Sequence, residues 1–300
     1  MIDAFTEEQV DAFDRDGFLI LEEGFATEAA VTALRERFDH LFAGEYPTGI
    51  RPDEVNWVAG RDSENKTRQI CNGWKADDII AAQVLSERTG RLAAQLTGWS
   101  GARILHDNCL WKPPGAGSLG MHQDGSYAGY LDPPEMATVW VALDDTRPGA
   151  GTMEYVPGSH RWPKVAPDRG SFHDPQDWVA PMLAAAPEGA RTDRVPVVVR
   201  AGGAAIHHSR TFHGSGHNTA TIERRAVVSH LVDADTRFDP VQVDPVFSRY
   251  RRREDLEMGE SFFPILWQTS GGRTAWLAGL PDVDGTADGP AADGSTLMTA

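Results

Sequence analysis

Gly120-Met121-His122-Gln123-Asp124-Gly125 places an imidazole and a carboxylate two residues apart. In an extended segment both side chains leave the same face, an arrangement that suits one metal ion. A third ligand has to come from elsewhere in the chain. Thr211-Phe212-His213-Gly214-Ser215-Gly216 offers one, with small residues after the imidazole that leave room beside a metal. Two histidines and one aspartate form a facial triad, which on octahedral Fe(II) leaves three positions open for a co-substrate and O2. His207, His208, His217 and His230 compete for the third place. His207 and His208 stand in an apolar run suited to core or supporting roles, and His217 in a polar turn.

Working outward from this stretch, the chain is rich in short apolar segments cut by turn residues. Arg103 to Trp111 reads as a strand closed by Lys112-Pro113-Pro114-Gly115, because tandem prolines cannot continue a central ladder. Thr138 to Leu143, Gly151 to Val156, Val195 to Arg200, Ala204 to His208 and Arg224 to Val232 read as further strands. Such a series favours a sandwich or barrel over a parallel α/β sheet. Before it come helices. Thr6-Glu7-Glu8-Gln9 is a capping box for a helix ending near Asp16-Gly17, followed by a strand at Phe18 to Leu21. Val31, Leu34, Phe38 and Leu41 give a second amphipathic helix from Thr27 to about Gly44. A third pattern starts at Asp77-Asp78, with a break expected near Gly90, and ends by Gly98.

Residues 45 to 76 lack periodicity and read as a loop-rich segment with Trp57, Arg68 and Trp74. Residues 163 to 194 read as an irregular insertion, a substrate lid. Residues 1 to 280 form one expected domain, and the Gly-, Asp- and Ala-rich 281–300 an expected disordered tail.

A formal net charge of −16 argues against nucleic acid or an anionic membrane as partner, which leaves a small molecule. The two cysteines, Cys71 and Cys109, indicate neither a disulfide framework nor a structural zinc site. With no basic region preceding an apolar run at the N-terminus and no membrane-length apolar stretch, a cytoplasmic location is expected. Oligomeric state is not legible.

The ordered set Asp16-Gly17-Phe18-Leu19, Lys112-Pro113-Pro114-Gly115, His122-Gln123-Asp124, Trp140-Val141-Ala142-Leu143, Pro157-Gly158-Ser159-His160, His213-Gly214-Ser215-Gly216-x-Asn218 and Arg224-Arg225-Ala226 resembles the phytanoyl-CoA dioxygenase family of Fe(II)/2-oxoglutarate oxygenases. The resemblance spans most of residues 6 to 232. It implies a mainly β fold, a double-stranded β-helix (jelly roll, cupin-like) buttressed by the N-terminal helices. Iron would be held by His122, Asp124 and His213, and Arg224, eleven positions beyond the last ligand, would grip the distal carboxylate of 2-oxoglutarate. Bidentate guanidinium recognition of a carboxylate fits that role. Asn108, Trp140 and Ser215 would line the co-substrate pocket. Arg225, one residue on, should face the other way and form a surface salt bridge.

The implied activity is hydroxylation of an unactivated carbon in a secondary-metabolite or lipid-like molecule, using O2 and releasing succinate and CO2. Asp124 favours this over halogenation, in which a small residue replaces the carboxylate. The same cofactors also permit desaturation, epimerisation or ring formation. Other readings are a cupin-like metalloenzyme that does not use 2-oxoglutarate and a non-catalytic β-sandwich binding protein. Tyr127, Tyr130, Trp57 and Trp74 are the candidate substrate-binding residues.

Overall fold

The computed structural model describes residues 1–167 and 172–283. Residues 168–171 of the expected lid and 284–300 of the expected tail lie outside the described residues. The helices are α1 (Glu7–Asp16), α2 (Glu28–Phe42), α3 (Asp78–Val84), α4 (Glu87–Thr97) and α5 (Ala180–Ala185). The strands begin with β1 (Phe18–Leu21), β2 (Glu54–Val55), β3 (Arg68–Cys71), β4 (Gly101–Lys112) and β5 (Leu119–His122). They continue with β6 (Leu131–Asp132), β7 (Ala137–Ala142), β8 (Met153–Tyr155), β9 (Val195–Pro196) and β10 (Ala204–His208). The last are β11 (His213–Ser215), β12 (Arg224–Asp233), β13 (Arg237–Phe238) and β14 (Ile265–Gln268).

Two antiparallel sheets make the double-stranded β-helix. The larger runs β1-β10-β7-β12-β4-β3-β2, with β14 added to β4, and the smaller runs β5-β11-β8-β9. Apart from β2–β3, β3–β4 and β8–β9, neighbouring strands in both sheets are not consecutive in sequence, so the sheets assemble largely from long-range pairing. The outer face of the large sheet is covered by helices. Val31, Leu34, Phe38 and Leu41 of α2 are all buried, as their spacing predicts, and join Ile80, Val84, Leu92, Ile104, Val139, Val141 and Val227 in one core. Each such side chain taken out of water contributes about 1.5–3 kcal/mol.

The α1 capping box is present: Thr6 accepts from Gln9 N–H, and the Gln9 side chain accepts from Thr6 N–H. The helix stops at Gly17, whose φ of 82° is a left-handed conformation suited to glycine. A Cβ there would also lie 2.3 Å from His160 Nδ1, so the helix end packs directly on the β-structure.

Three expectations change. The break in the third helical pattern falls at Leu85–Ser86 rather than Gly90, because Ser86 caps α4 by accepting from Thr89 N–H. Gly90 lies inside α4, where a Cβ would stand 2.7 Å from Leu266 Cβ. Residues 45–76 are not simply loop, since β2 and β3 extend the large sheet. The expected strand 195–200 is paired only at Val195–Pro196. Among the described residues, no helix is long and apolar enough to cross a membrane.

Candidate metal centre and co-substrate pocket

In the smaller sheet His122 sits opposite His213, which brings their rings to 4.1 Å between centroids. Gln123 stays extended before the chain enters a 3-10 turn at Asp124–Tyr127, so Asp124 emerges on the same side as His122. The Gln123 side chain points away, donating to the Arg210 carbonyl at 2.9 Å and accepting from Val165 N–H at 3.1 Å. Asp124 Oδ1 lies 3.4 Å from His122 Nε2 and 3.5 Å from His213 Nε2. One ligand atom from each of the three residues falls within 4.8 Å of the others. In each ring Nδ1 faces a main-chain carbonyl, Gly120 at 2.9 Å and Thr211 at 3.0 Å. An Nδ1–H donated there leaves the Nε2 lone pair for a metal.

The second oxygen of Asp124 is already engaged. The Thr138 hydroxyl donates to Oδ2 at 2.7 Å, and His207 Nε2 approaches it at 3.1 Å. Behind His207, Tyr155 OH lies 2.8 Å from Nδ1. Behind Thr138 a chain of donors runs in one direction. The Gln69 amide donates to Asn108 Oδ1 at 3.0 Å, the Asn108 amide reaches His230 Nε2 at 3.2 Å, and His230 Nδ1 lies 3.0 Å from Thr138 Oγ1. With every donor in this chain used, Oδ1 is the oxygen left to ligate. Burial works against charge on Asp124, but the close approach of His213, and then of His122 and His207, holds its carboxyl well below the usual range. Burial keeps His213 far below its ordinary value and brings His230 to about 4, so both rings are neutral at neutral pH.

Strand alternation carries Arg224 into the same cavity, a space of about 470 Å³. Its Nε is buried without a hydrogen-bond partner, and among the described residues no carboxylate pairs with it. Its guanidinium lies 5.8 Å from the Trp140 ring. Burial lowers Arg224 to about 10, so it remains a cation at neutral pH. An unneutralised buried guanidinium is costly unless an anion joins it. Lys112, its cross-strand neighbour, is also buried and donates to Ser215 Oγ at 2.8 Å and to the Gly216 carbonyl at 2.6 Å. Burial, and then the charge of Arg224, push Lys112 well below its ordinary value.

Asn108, Trp140, Ser215, Tyr127 and Tyr130 all line this cavity, as do Phe172 and His173 from the expected lid. Trp57 and Trp74 do not. Trp57 packs in the main core, where Arg68 stacks 3.9 Å over its ring and 4.5 Å from Trp111. Trp74 bonds Asn72 Oδ1 and stacks on Trp276 at 5.8 Å. Both indoles sit on the helix-covered side, where aromatic content alone gives no warning. Of the rival ligands, His207 and His230 surround Asp124 from behind, and His217 is exposed beside Asp174. Arg225 turns outward to grip Asp144 at 3.0 and 2.9 Å. Sequence reasoning missed Lys112, Thr138 and Tyr155. Period-two alternation from Trp140 would have put Thr138 on the same face.

Two imidazoles and a carboxylate suit Fe(II), and a buried cation without an acid partner suits the far carboxylate of a dicarboxylic co-substrate. On this fold, those two fits define an Fe(II)/2-oxoglutarate-dependent oxygenase. Residues 13–226 match the family described as phytanoyl-CoA dioxygenase (PhyH), and the chain belongs to that family. It is 24% identical over 268 residues to a phytanoyl-CoA dioxygenase of Arabidopsis thaliana, covering 77% of this chain and 90% of the relative. Among solved structures it is similar to the α-ketoglutarate-dependent carbocyclase SnoK from nogalamycin biosynthesis, with TM-score 0.66, 26% identity, and 87% and 96% of the two chains covered. The epimerase SnoN, solved with Fe3+, α-ketoglutarate and nogalamycin RO, matches with TM-score 0.66 at 23% identity over 87% and 98%.

Proposed function

We propose that His122, Asp124 and His213 hold the Fe(II), that Arg224 binds the distal carboxylate of 2-oxoglutarate, and that the enzyme acts at an unactivated carbon of a ring-bearing small molecule. Epimerisation or ring formation is the better-supported outcome, and hydroxylation is the second. The observation that carries the assignment is the single cavity shared by the three ligand groups and the unpaired Arg224. Fe(II) with 2-oxoglutarate and O2 supplies the hydrogen-abstracting power, with succinate and CO2 released. The chain's own residues bind, orient and exclude water. Asn108, Trp140 and Ser215 border the co-substrate, with Ser215 steadied by Lys112. Tyr127, Tyr130, Phe172 and His173 border the substrate, the last two from the 163–194 segment that we assign as a lid. The carboxylate of Asp124 fills the place that chloride would need.

The similarity to an epimerase and a carbocyclase from nogalamycin biosynthesis favours a secondary-metabolite substrate and an outcome without oxygen insertion. Anaerobic titration with Fe(II) and 2-oxoglutarate should produce a weak visible charge-transfer band that Asp124→Ala abolishes. Product mass then separates outcomes: hydroxylation adds one oxygen, ring closure or desaturation removes two hydrogens, and epimerisation leaves mass unchanged. A panel of secondary-metabolite substrates yielding only oxygen-bearing products would reverse the order of the two readings.

A further inference from the structure

The cavity has two unlike ends. His230 stands six residues along β12 from Arg224, roughly 20 Å at the usual rise, and the wall around it is built from stacked rings. His106 lies on His230 at 4.2 Å, Phe247 on His106 at 4.7 Å, and Tyr130 beside Phe247 at 5.9 Å. His106 Nδ1 is buried there with no hydrogen-bond partner. Besides Asp124, two carboxylates, Glu54 and Asp244, line the same space, and Arg224 is the one Lys or Arg among the described lining residues.

Neither carboxylate has an ion-pair partner among the described residues. Asp244 Oδ1 accepts from Val246 and Phe247 N–H at 2.7 and 2.9 Å, which leaves Oδ2 free. The Glu54 side chain makes no hydrogen bond or ion pair among the described residues. Glu54 is an exposed residue of the cavity lining and Asp244 a half-buried one; desolvation and then the Asp244 charge push the Glu54 carboxyl up, Arg249 opposes this, and the adjoining Asp53 is held at 2.8 Å by Lys75. A cation placed between Glu54 and Asp244 would relieve their repulsion and could also rest against the Phe247 and Tyr130 faces. A polyanion would meet the opposite field.

We propose that the substrate carries a protonated amine, bound between Glu54 and Asp244 with its ring portion against Phe247 and Tyr130, and that coenzyme A thioesters are not substrates. This rests on the assignment of the cavity as the substrate site.

The test uses the enzyme loaded anaerobically with Fe(II) and 2-oxoglutarate and titrated calorimetrically with 2-phenylethylamine, 2-phenylethanol, 3-phenylpropanoate and coenzyme A. The amine should bind about tenfold more tightly than the alcohol, with an advantage that shrinks in high salt, and the two anions should bind most weakly. In the Glu54→Gln/Asp244→Asn double variant the amine's advantage should disappear, while the amide oxygen introduced at position 244 still caps the Phe247 turn. Equal binding of alcohol and amine, tight binding of either anion, an undiminished preference in the double variant, or no amine binding would each overturn the proposal. The visible band reports separately. If it fails to form, the co-substrate assignment falls; if it forms and the amine is not preferred, only the amine proposal falls.

Discussion

His207 Nε2 and Asp124 Oδ2 are 3.1 Å apart, and this contact settles which carboxylate oxygen is turned toward His122 and His213. Thr138 reinforces it from the other side. Outer hydrogen bonds of this kind usually change metal affinity by about 10- to 100-fold. Thr138→Val should therefore weaken Fe(II) binding by about that factor in an anaerobic metal titration, while 2-oxoglutarate affinity at saturating iron stays close to the parent's. An unchanged iron affinity would show that Asp124 needs no such support.

Arg224 carries a charge that no carboxylate among the described residues pairs with, Asp144 offsetting it only from a distance. Arg224→Met should cost about 2–5 kcal/mol of 2-oxoglutarate binding, the usual loss when one partner of a buried charge pair is removed. It should also raise the thermal midpoint of the protein measured without co-substrate, because a desolvated lone cation is gone. Arg224→Lys should recover part of the binding. Weaker co-substrate binding without the gain in midpoint would place the Arg224 charge in contact with solvent.

Much of this site was legible because it depends on local rules. An extended tripeptide puts His122 and Asp124 on one face, and alternation sends Arg224 inward and Arg225 out to Asp144. Alternation from Trp140 already put Thr138 on the cavity face, but its partner there, like that of Tyr155, arises from strand pairing across the large and small sheets, which no local pattern encodes. Trp57 and Trp74 misled for a related reason: an indole in an aperiodic segment does not declare which side of a sheet it covers. The helix break at Ser86 had a cap signal in the sequence, but Gly90 drew attention instead. Its actual use is close approach to Leu266.

The pair Lys75–Asp53, at 2.8 Å with both side chains largely buried, ties the β2–β3 region to Tyr250. Burial lowers Lys75, partly offset by Asp53, and Asp53 in turn also accepts from Asn72 and Tyr250. Lys75→Met leaves a buried carboxylate without its counter-ion, a change that costs about 3–5 kcal/mol. Urea unfolding should show this loss, and the double variant Lys75→Met/Asp53→Leu should recover much of it.

His208 gives the fold an acid-sensitive point. Burial, with His160 and Arg210, brings it to about 4, below the unfolded value. The unfolded chain therefore binds the extra proton first, so stability is fully present above about pH 6.5 and is lost as pH falls toward 4. Protonation also removes the Nδ1 acceptor used by Arg210 N–H at 3.0 Å. Thermal midpoints between pH 7 and 4.5 should fall less steeply in His208→Gln than in the parent. Parallel slopes would assign the acid response to other groups.

The cross-strand pairing of His122 with His213 also bears on how the fold holds together. β5 and β11 are short, and a metal on both would act as a rivet through the smaller sheet. Removing it should loosen that sheet before the rest, with faster amide exchange in 119–122 and 213–215 while β4, β7 and β12 stay protected. Resistance to heat would then track free iron concentration, so the same ion that serves the reaction would also report on whether the barrel is fully fastened.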